Sequence, residues 1–254
     1  MNSLSNKTAV ITGASRGIGR ATALTLASKG MNIVALARDE KALSTLNEEL
    51  DSMGVVSICD AGDVSRFNDV ERIVRAANDR FGGVDLLVNN AGLIEPIAHL
   101  AESDVAAWDY AVDVNVKGVY HGLRAVIPVM QLRGGTIINI SSGAATSTLE
   151  GWSAYCATKA AVLSLTKSAH KEYHHVGINT VGLSPGTVAT DMQSRIKDSG
   201  INPVSKLDWS THIPAEWVAH AVVYIATEGG EQFSGSDFSL KTKEGRELVG
   251  LPPI

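Results

Sequence analysis

Cysteine is scarce in this chain: Cys59 and Cys156 are the two in 254 residues, so at most one disulfide can form. That scarcity points to a reducing cytosol and argues against a disulfide-stapled secreted scaffold. Long hydrophobic runs are also missing, and none approaches the ~20 residues a membrane span needs. The opening stretch, Met1-Asn2-Ser3-Leu4-Ser5-Asn6-Lys7, lacks the apolar core of a signal peptide. Blocks of positive charge are absent as well. With 22 Lys and Arg against 27 Asp and Glu, the net charge is −5, which excludes nucleic acid and anionic membrane as main partners. What remains, with 44% apolar and 19% charged residues, is a globular chain long enough for one well-buried domain over 1–254.

Apolar strands alternate with helical patterns along the whole chain. Lys7–Thr12, Asn32–Ala37, Val55–Ala61, Val84–Asn89, Thr136–Ser141 and Ile178–Leu183 read as strands. Between them, Leu43, Leu46, Leu50 and Met53 form one amphipathic face, with Asp39 as N-cap and Gly54 beyond the end. Phe67 to Phe81, Ser103 to Leu132 and Ser153 to His174 carry further helices, and the chain ends with a helix (Ala215–Thr227) and a strand (Asp237–Lys241). Such alternation implies parallel βαβ units, hence a doubly wound α/β fold: a seven-stranded parallel sheet of Rossmann type with helices on both faces. The stretch 186–214, rich in Ser, Asp, Pro and Gly, reads as a mobile segment over the site.

Two constellations carry chemistry. The first βα turn is Thr12-Gly13-Ala14-Ser15-Arg16-Gly17-Ile18-Gly19. Gly13 and Gly17 let the backbone turn tightly against a pyrophosphate, Gly19 lets helix and sheet approach, and the helix N-terminus offers free N–H groups to phosphate. The second is Tyr155-Cys156-Ala157-Thr158-Lys159, thirteen residues after Ser142. Positions i and i+4 share a helix face, so Lys159 can set its ammonium beside the Tyr155 phenol. A unit charge at ~5 Å and a dielectric of ~20 stabilises phenolate by about 3 kcal/mol. That is enough to bring a phenol from ~10 toward ~8.

Taken in order, Thr12–Gly19, Asp63-Val64, Asn89-Asn90-Ala91-Gly92, Asn115, Ser142, Tyr155-x-x-x-Lys159 and Pro185-Gly186-Thr187 resemble the short-chain dehydrogenase/reductase family, from about residue 7 to residue 192. The resemblance implies that Asn115, Ser142, Tyr155 and Lys159 form the catalytic group. It implies that Asp63 meets the adenine, that Asn89 and Gly92 line the cofactor and that Thr187 lies near the nicotinamide amide. Gly13, Ser15, Arg16, Gly17, Ile18, Gly19, Val64, Ala91, Pro185, Gly186, Val188 and Thr190 complete the implied dinucleotide site. In the reducing direction, hydride leaves the nicotinamide for a carbonyl carbon. Ser142 donates a hydrogen bond to the carbonyl oxygen and Tyr155 gives it a proton. Lys159 binds ribose hydroxyls and lowers the Tyr155 pKa, while Asn115 interrupts its helix and holds a water leading from Lys159 to solvent. Relatives pair the 103–132 and Tyr155 helices between subunits, which implies a homodimer or homotetramer.

The second strand ends Leu36-Ala37-Arg38-Asp39. Ala37 stands where NAD-preferring relatives carry aspartate, and Arg38 with Arg16 suits a 2′-phosphate, so NADP(H) is favoured over NAD(H). Asp39 could face the ribose, but capping the following helix is the stronger expectation. Leu149, Trp152, Met192 and Trp209 are candidates for an apolar substrate pocket, Cys156 for a packing residue. No metal site is expected. His174 and His175 diverge as adjacent helix positions, and His99, His121, His170, His212 and His220 read as surface or helix-end residues. Two departures from the family stand out: Val181 replaces a usual asparagine, and Leu240-Lys241-Thr242-Lys243 replaces the usual Val-Asp-Gly-Gly ending. The reaction class is carbonyl reduction or its reverse on a small-molecule substrate; a 3-oxoacyl thioester reductase and a non-catalytic dinucleotide sensor are the alternatives.

Overall fold

The computed structural model describes residues 4–253. Among them, seven parallel strands form one sheet in the order β3-β2-β1-β4-β5-β6-β7. These are β1 (Thr8–Thr12), β2 (Asn32–Ala37), β3 (Ser57–Ala61), β4 (Leu86–Asn89), β5 (Gly135–Ile140), β6 (Ile178–Ser184) and β7 (Asp237–Ser239). The order reverses direction between β1 and β4. This is the switch point where open α/β sheets form a crevice beyond their strand ends.

Side chains alternate faces along a strand, and both faces here are covered. Ala9, Ile11, Ile33 and Ala35 enter one core with Leu26 of α1 (Gly17–Ala27) and Val218 of α8 (Ala215–Tyr224). Val10, Val34, Leu36 and Leu87 enter the other, with Val74 of α3 (Phe67–Phe81) and Val126 of α5 (Gly118–Met130). Two-sided burial explains why these strands read as continuous apolar runs. Each fully buried Val, Leu or Ile contributes about 1.5–3 kcal/mol relative to exposure. Val181, at the family's asparagine position, is one of the buried members of the first core.

The expected elements are present, with three informative differences. α2 (Glu40–Ser52) starts as anticipated, since Asp39 accepts a hydrogen bond from Ala42 N at 3.0 Å. The expected 103–132 helix is broken in register: α4 (Val105–Val112) passes through a π-helical turn, Asp113–Lys117, before α5 resumes. The segment 186–214 lies over the site as expected, but it carries α7 (Asp191–Ser199) and two 3₁₀ turns. Gln193 and Ile196 are buried, but nine residues are too few for a periodic pattern to register in sequence. The polar ending also folds. After β7, α9 (Lys243–Leu248) turns back, Arg246 Nε donates to Leu240 O at 2.9 Å, and its guanidinium lies over Trp217.

Candidate active site

One cleft of ≈ 820 Å³ runs across the strand ends at the switch point. Of the site residues read from sequence, Gly13, Ser15, Arg16, Gly17, Ile18, Arg38, Asp63, Val64, Ala91, Gly92, Ser142, Tyr155, Lys159, Pro185, Gly186, Thr187, Val188 and Thr190 all line it. Residues spread over most of the chain therefore converge on one concave surface.

The glycine turn has the conformation its composition implies. Gly13 and Gly17 have φ of +65° and +52°, a region that L side chains rarely adopt. A Cβ on Gly13 would meet Ala91 Cα at 2.9 Å. α1 opens immediately after the turn without a side-chain cap, although α2 has one. Its first N–H groups therefore remain available to an anion at the cleft, which is the arrangement a dinucleotide pyrophosphate needs. Gly19 does not reach the cleft. A Cβ there would stand 2.3 Å from Gly13 O, so Gly19 secures helix–turn packing and, against expectation, does not face the cofactor cleft.

Asn89 is the second correction. It is buried at the end of β4, and its Nδ2 donates to Asn139 Oδ1 at 2.9 Å beneath the sheet. The residue that serves the cleft is its neighbour Asn90, whose Nδ2 donates to Thr12 O and Gly13 O, both at 3.0 Å. Strand alternation explains the exchange: consecutive side chains face opposite sides.

At the end of the cleft beside β2 and β3, Arg38 Nη1 donates to Tyr110 OH at 2.5 Å, and Tyr110 OH donates to Asp63 Oδ2 at 3.2 Å. Burial pushes the Asp63 carboxyl up, but hydrogen bonds from Ser65 and Tyr110 and the Arg38 charge outweigh it and hold the pKa below the usual value. Asp63 is thus held as an anion, and Arg38 is fixed by a tyrosine that lies 72 residues away in sequence. No local pattern could have pointed to Tyr110. Arg16 is also engaged, pairing with Asp191 of α7 at 2.9 Å.

At the other end, Ser142 N-caps a short 3₁₀ turn by accepting from Ala144 N at 3.2 Å, and its hydroxyl lies near enough to the Tyr155 phenol to pull its pKa down. Both Tyr155 and Lys159 lie on α6 (Ser153–Tyr173) and both are buried. Lys159 Nζ stands 5.6 Å from the Tyr155 ring centroid and donates to Ile140 O at 2.6 Å. The expected fall in the Tyr155 pKa is not what this arrangement gives. Burial is the dominant influence and raises it above 10.0, while the Ser142 hydroxyl opposes that rise. Desolvation has the opposite sign for a cation and brings Lys159 down to about 8. At neutral pH the pair therefore holds a protonated phenol beside an ammonium. Such a pair suits proton donation.

Asn115 sits in the π-helical turn, as the expected break in helix hydrogen bonding requires. Its side chain is engaged on protein: Oδ1 accepts from Leu93 N at 2.7 Å, and Nδ2 donates to Leu93 O at 2.8 Å and Thr158 Oγ1 at 3.1 Å. It does not line the cleft. It clamps the 91–93 loop against α6 close to Lys159, and that clamp is its visible role.

The open end of the cleft is apolar. Leu149, Trp152 and Met192 line it as expected, backed by Ile94 and Ile196. The Trp152 ring meets Tyr155 edge-on at 5.5 Å, and Cys156 packs in the same cluster. Trp209 does not contribute: it is 44% exposed and meets His212 edge-on, and His212 is buried, contrary to its surface reading.

The sequence pattern of the short chain dehydrogenase family matches residues 7–200. A 3-oxoacyl-(acyl-carrier-protein) reductase of Staphylococcus epidermidis is 33% identical over 240 residues, covering 91% of this chain and 95% of its own. Among solved structures, a putative short-chain alcohol dehydrogenase from Sinorhizobium meliloti is 27% identical with a TM-score of 0.81, covering 92% of this chain and 94% of its own. Levodione reductase, 24% identical with a TM-score of 0.86 and coverages of 96% and 98%, shares the fold. Cleft, glycine turn and sequence likeness agree: the chain belongs to the short-chain dehydrogenase family, whose members are oxidoreductases that act on CH–OH groups with a nicotinamide cofactor.

Proposed function

We propose that the chain is an NADP(H)-dependent oxidoreductase that interconverts a carbonyl and a secondary alcohol, with Tyr155 as general acid and base. One observation carries the reading: a buried phenol, close to Ser142 and Lys159, opens onto the cleft that the glycine turn also lines. Bound nicotinamide would supply the hydride. Ser142 holds the substrate oxygen and Tyr155 delivers its proton to that oxygen in reduction, or removes it in oxidation. Lys159 keeps a positive charge near the phenol and the ribose, and Asn115 fixes the loop on which both depend. Leu149, Trp152 and Met192 exclude water and favour an apolar substituent on the carbonyl. A second copy pairing along α4, α5 and α6 fits the exposed Val105 and Tyr120 on those helices.

NADP(H) is supported by Ala37 at the strand end and by Arg38, pre-positioned by Tyr110. Replacing Arg38 by Asp is expected to shift the NADPH:NADH ratio of kcat/KM toward NADH by about 10–100-fold, since a hydrogen bond to a charged group contributes roughly 1.5–3 kcal/mol. An unchanged ratio would mean that Arg38 does not read the 2′-phosphate.

A 3-oxoacyl thioester substrate is the second reading, favoured by the likeness to the staphylococcal reductase. NADPH oxidation measured against apolar ketones and acetoacetyl thioesters decides between them. Ketone turnover well above thioester turnover supports the first reading, and the reverse supports the second. Tight NADPH binding with no turnover of any carbonyl marks a sensor and overturns both.

A further inference from the structure

The family's usual C-terminal ending is absent here, and β7 carries instead a half-buried carboxylate whose Oδ1 is turned into the sheet. Asp237 begins β7 and lies opposite Gly182 of β6 in the strand register. Its side chain crosses β6 and accepts a hydrogen bond from Ser141 Oγ, beyond the end of β5, at 2.8 Å. The crossing is possible because residue 182 has no side chain: a Cβ there would sit 1.6 Å from Asp237 Oδ1. That Oδ1 is itself buried and has no hydrogen-bond partner. An acid so placed carries a desolvation cost, and a hydrogen bond from one serine only partly offsets it.

Its position relative to the site gives it a use. Ser141, which holds Asp237, directly precedes Ser142 and directly follows Ile140, whose carbonyl takes the Lys159 ammonium at 2.6 Å. One dipeptide thus links the carboxylate to the amine. We infer that Asp237 is a half-buried counter-charge to Lys159, a positioning residue that keeps the ammonium cationic and so sets the pH range over which Tyr155 delivers its proton. The inference rests on the proposed roles of Tyr155 and Lys159.

The surroundings of Asp237 bear this out from each packed element: Ser141 just past β5, Gly182 from β6, and the cations Lys159 and Lys167 from α6. Burial raises the Asp237 pKa, while Ser141 and both lysines oppose the rise. Reciprocally, burial lowers Lys159 from 10.5 to about 8 and the Asp237 charge resists that fall. The two directions agree on an attractive pair. Because the folded Lys159 pKa lies below the unfolded one, the unfolded chain binds more protons between them. Folding stability therefore rises with pH from about 8 to 10.5.

Asp237→Asn keeps an acceptor for Ser141 and removes the charge; Asp237→Ser serves where the first variant fails to fold. Urea unfolding through the alkaline range, on protein alone, is expected to show the stability rise starting about one pH unit lower than in wild type. The alkaline limb of kcat/KM for ketone reduction is expected to move down by the same amount. Ser141→Ala removes the hydrogen bond but not the charge, and should leave that limb where it was. A stability rise that starts at the wild-type pH in Asp237→Asn overturns the counter-charge whatever activity does. A limb that moves equally in Ser141→Ala overturns it too, in favour of the hydrogen bond. If the stability window moves and the limb does not, the link from Lys159 to Tyr155 is what fails, and the proposed control of proton delivery falls with it.

Discussion

Tyr155→Phe is expected to fold normally, bind NADPH with little change and lose about 10³-fold in kcat for carbonyl reduction, within the range general acid catalysis supplies. The argument rests on burial. Tyr155 packs among Ile94, Trp152 and Ile196, so its ring contributes to a hydrophobic cluster that phenylalanine fills equally well. The substitution leaves Ser142 its contact to Ala144 N, so the local turn persists. What disappears is the proton. Because burial raises the phenol above 10.0, wild-type Tyr155 stays protonated through neutral pH and is ready as an acid in reduction. Oxidation needs the phenolate, so alcohol oxidation in the wild type should climb toward alkaline pH where reduction does not. Stopped-flow turnover in both directions, with circular dichroism as the fold control, tests both points. Full turnover in a folded Tyr155→Phe protein would assign the proton transfer to another group.

Much of this was legible from residues alone, for reasons that differ from place to place. The sheet could be read because both faces of its strands are buried, which forces apolar runs such as Thr8–Thr12 and Asn32–Ala37. The glycine turn could be read because positive φ at Gly13 and Gly17 restricts residue choice locally. Tyr155 and Lys159 could be paired because four residues close one helix face. The failures arise where local spacing no longer determines the environment. Asn89 and Asn90 are equivalent in a one-dimensional pattern, and strand pleating alone decides which one reaches the turn. Trp209 is apolar in sequence, but it meets His212 edge-on away from the cleft. The direction of the Tyr155 shift depends on how deeply α6 is buried and on where the Lys159 ammonium is anchored; Ile140 O, 19 residues back, takes it. Asp237 required three strands to be seen together.

Lys159→Met should lose catalysis and gain stability. Lys159 is 94% buried by its 6% exposure, and its pKa falls from 10.5 to about 8, so folding a charged Lys159 at neutral pH costs about 3 kcal/mol relative to the unfolded chain. Methionine matches the aliphatic stem and carries no charge to desolvate. Against this stands the lost hydrogen bond to Ile140 O, worth about 1 kcal/mol. The net gain of about 2 kcal/mol corresponds to roughly 4–8 °C in Tm for a chain of this size. The gain has a definite pH dependence. Wild-type stability rises as folded Lys159 loses its proton between pH 8 and 10.5, whereas the variant has nothing to titrate there, so the variant's advantage should shrink and then reverse at alkaline pH. Turnover should fall by about 10²-fold or more, because the cation that assists proton transfer is gone. Differential scanning calorimetry across that range, paired with NADPH-oxidation rates, tests both halves. A variant that melts below wild type at neutral pH would make Lys159 a structural cation whose attraction to Asp237 outweighs its desolvation. A variant that melts higher but turns over normally would remove the ammonium from the reaction. The expected combination, a hotter and slower protein, is the mark of a charge kept in the core for chemistry at the expense of the fold.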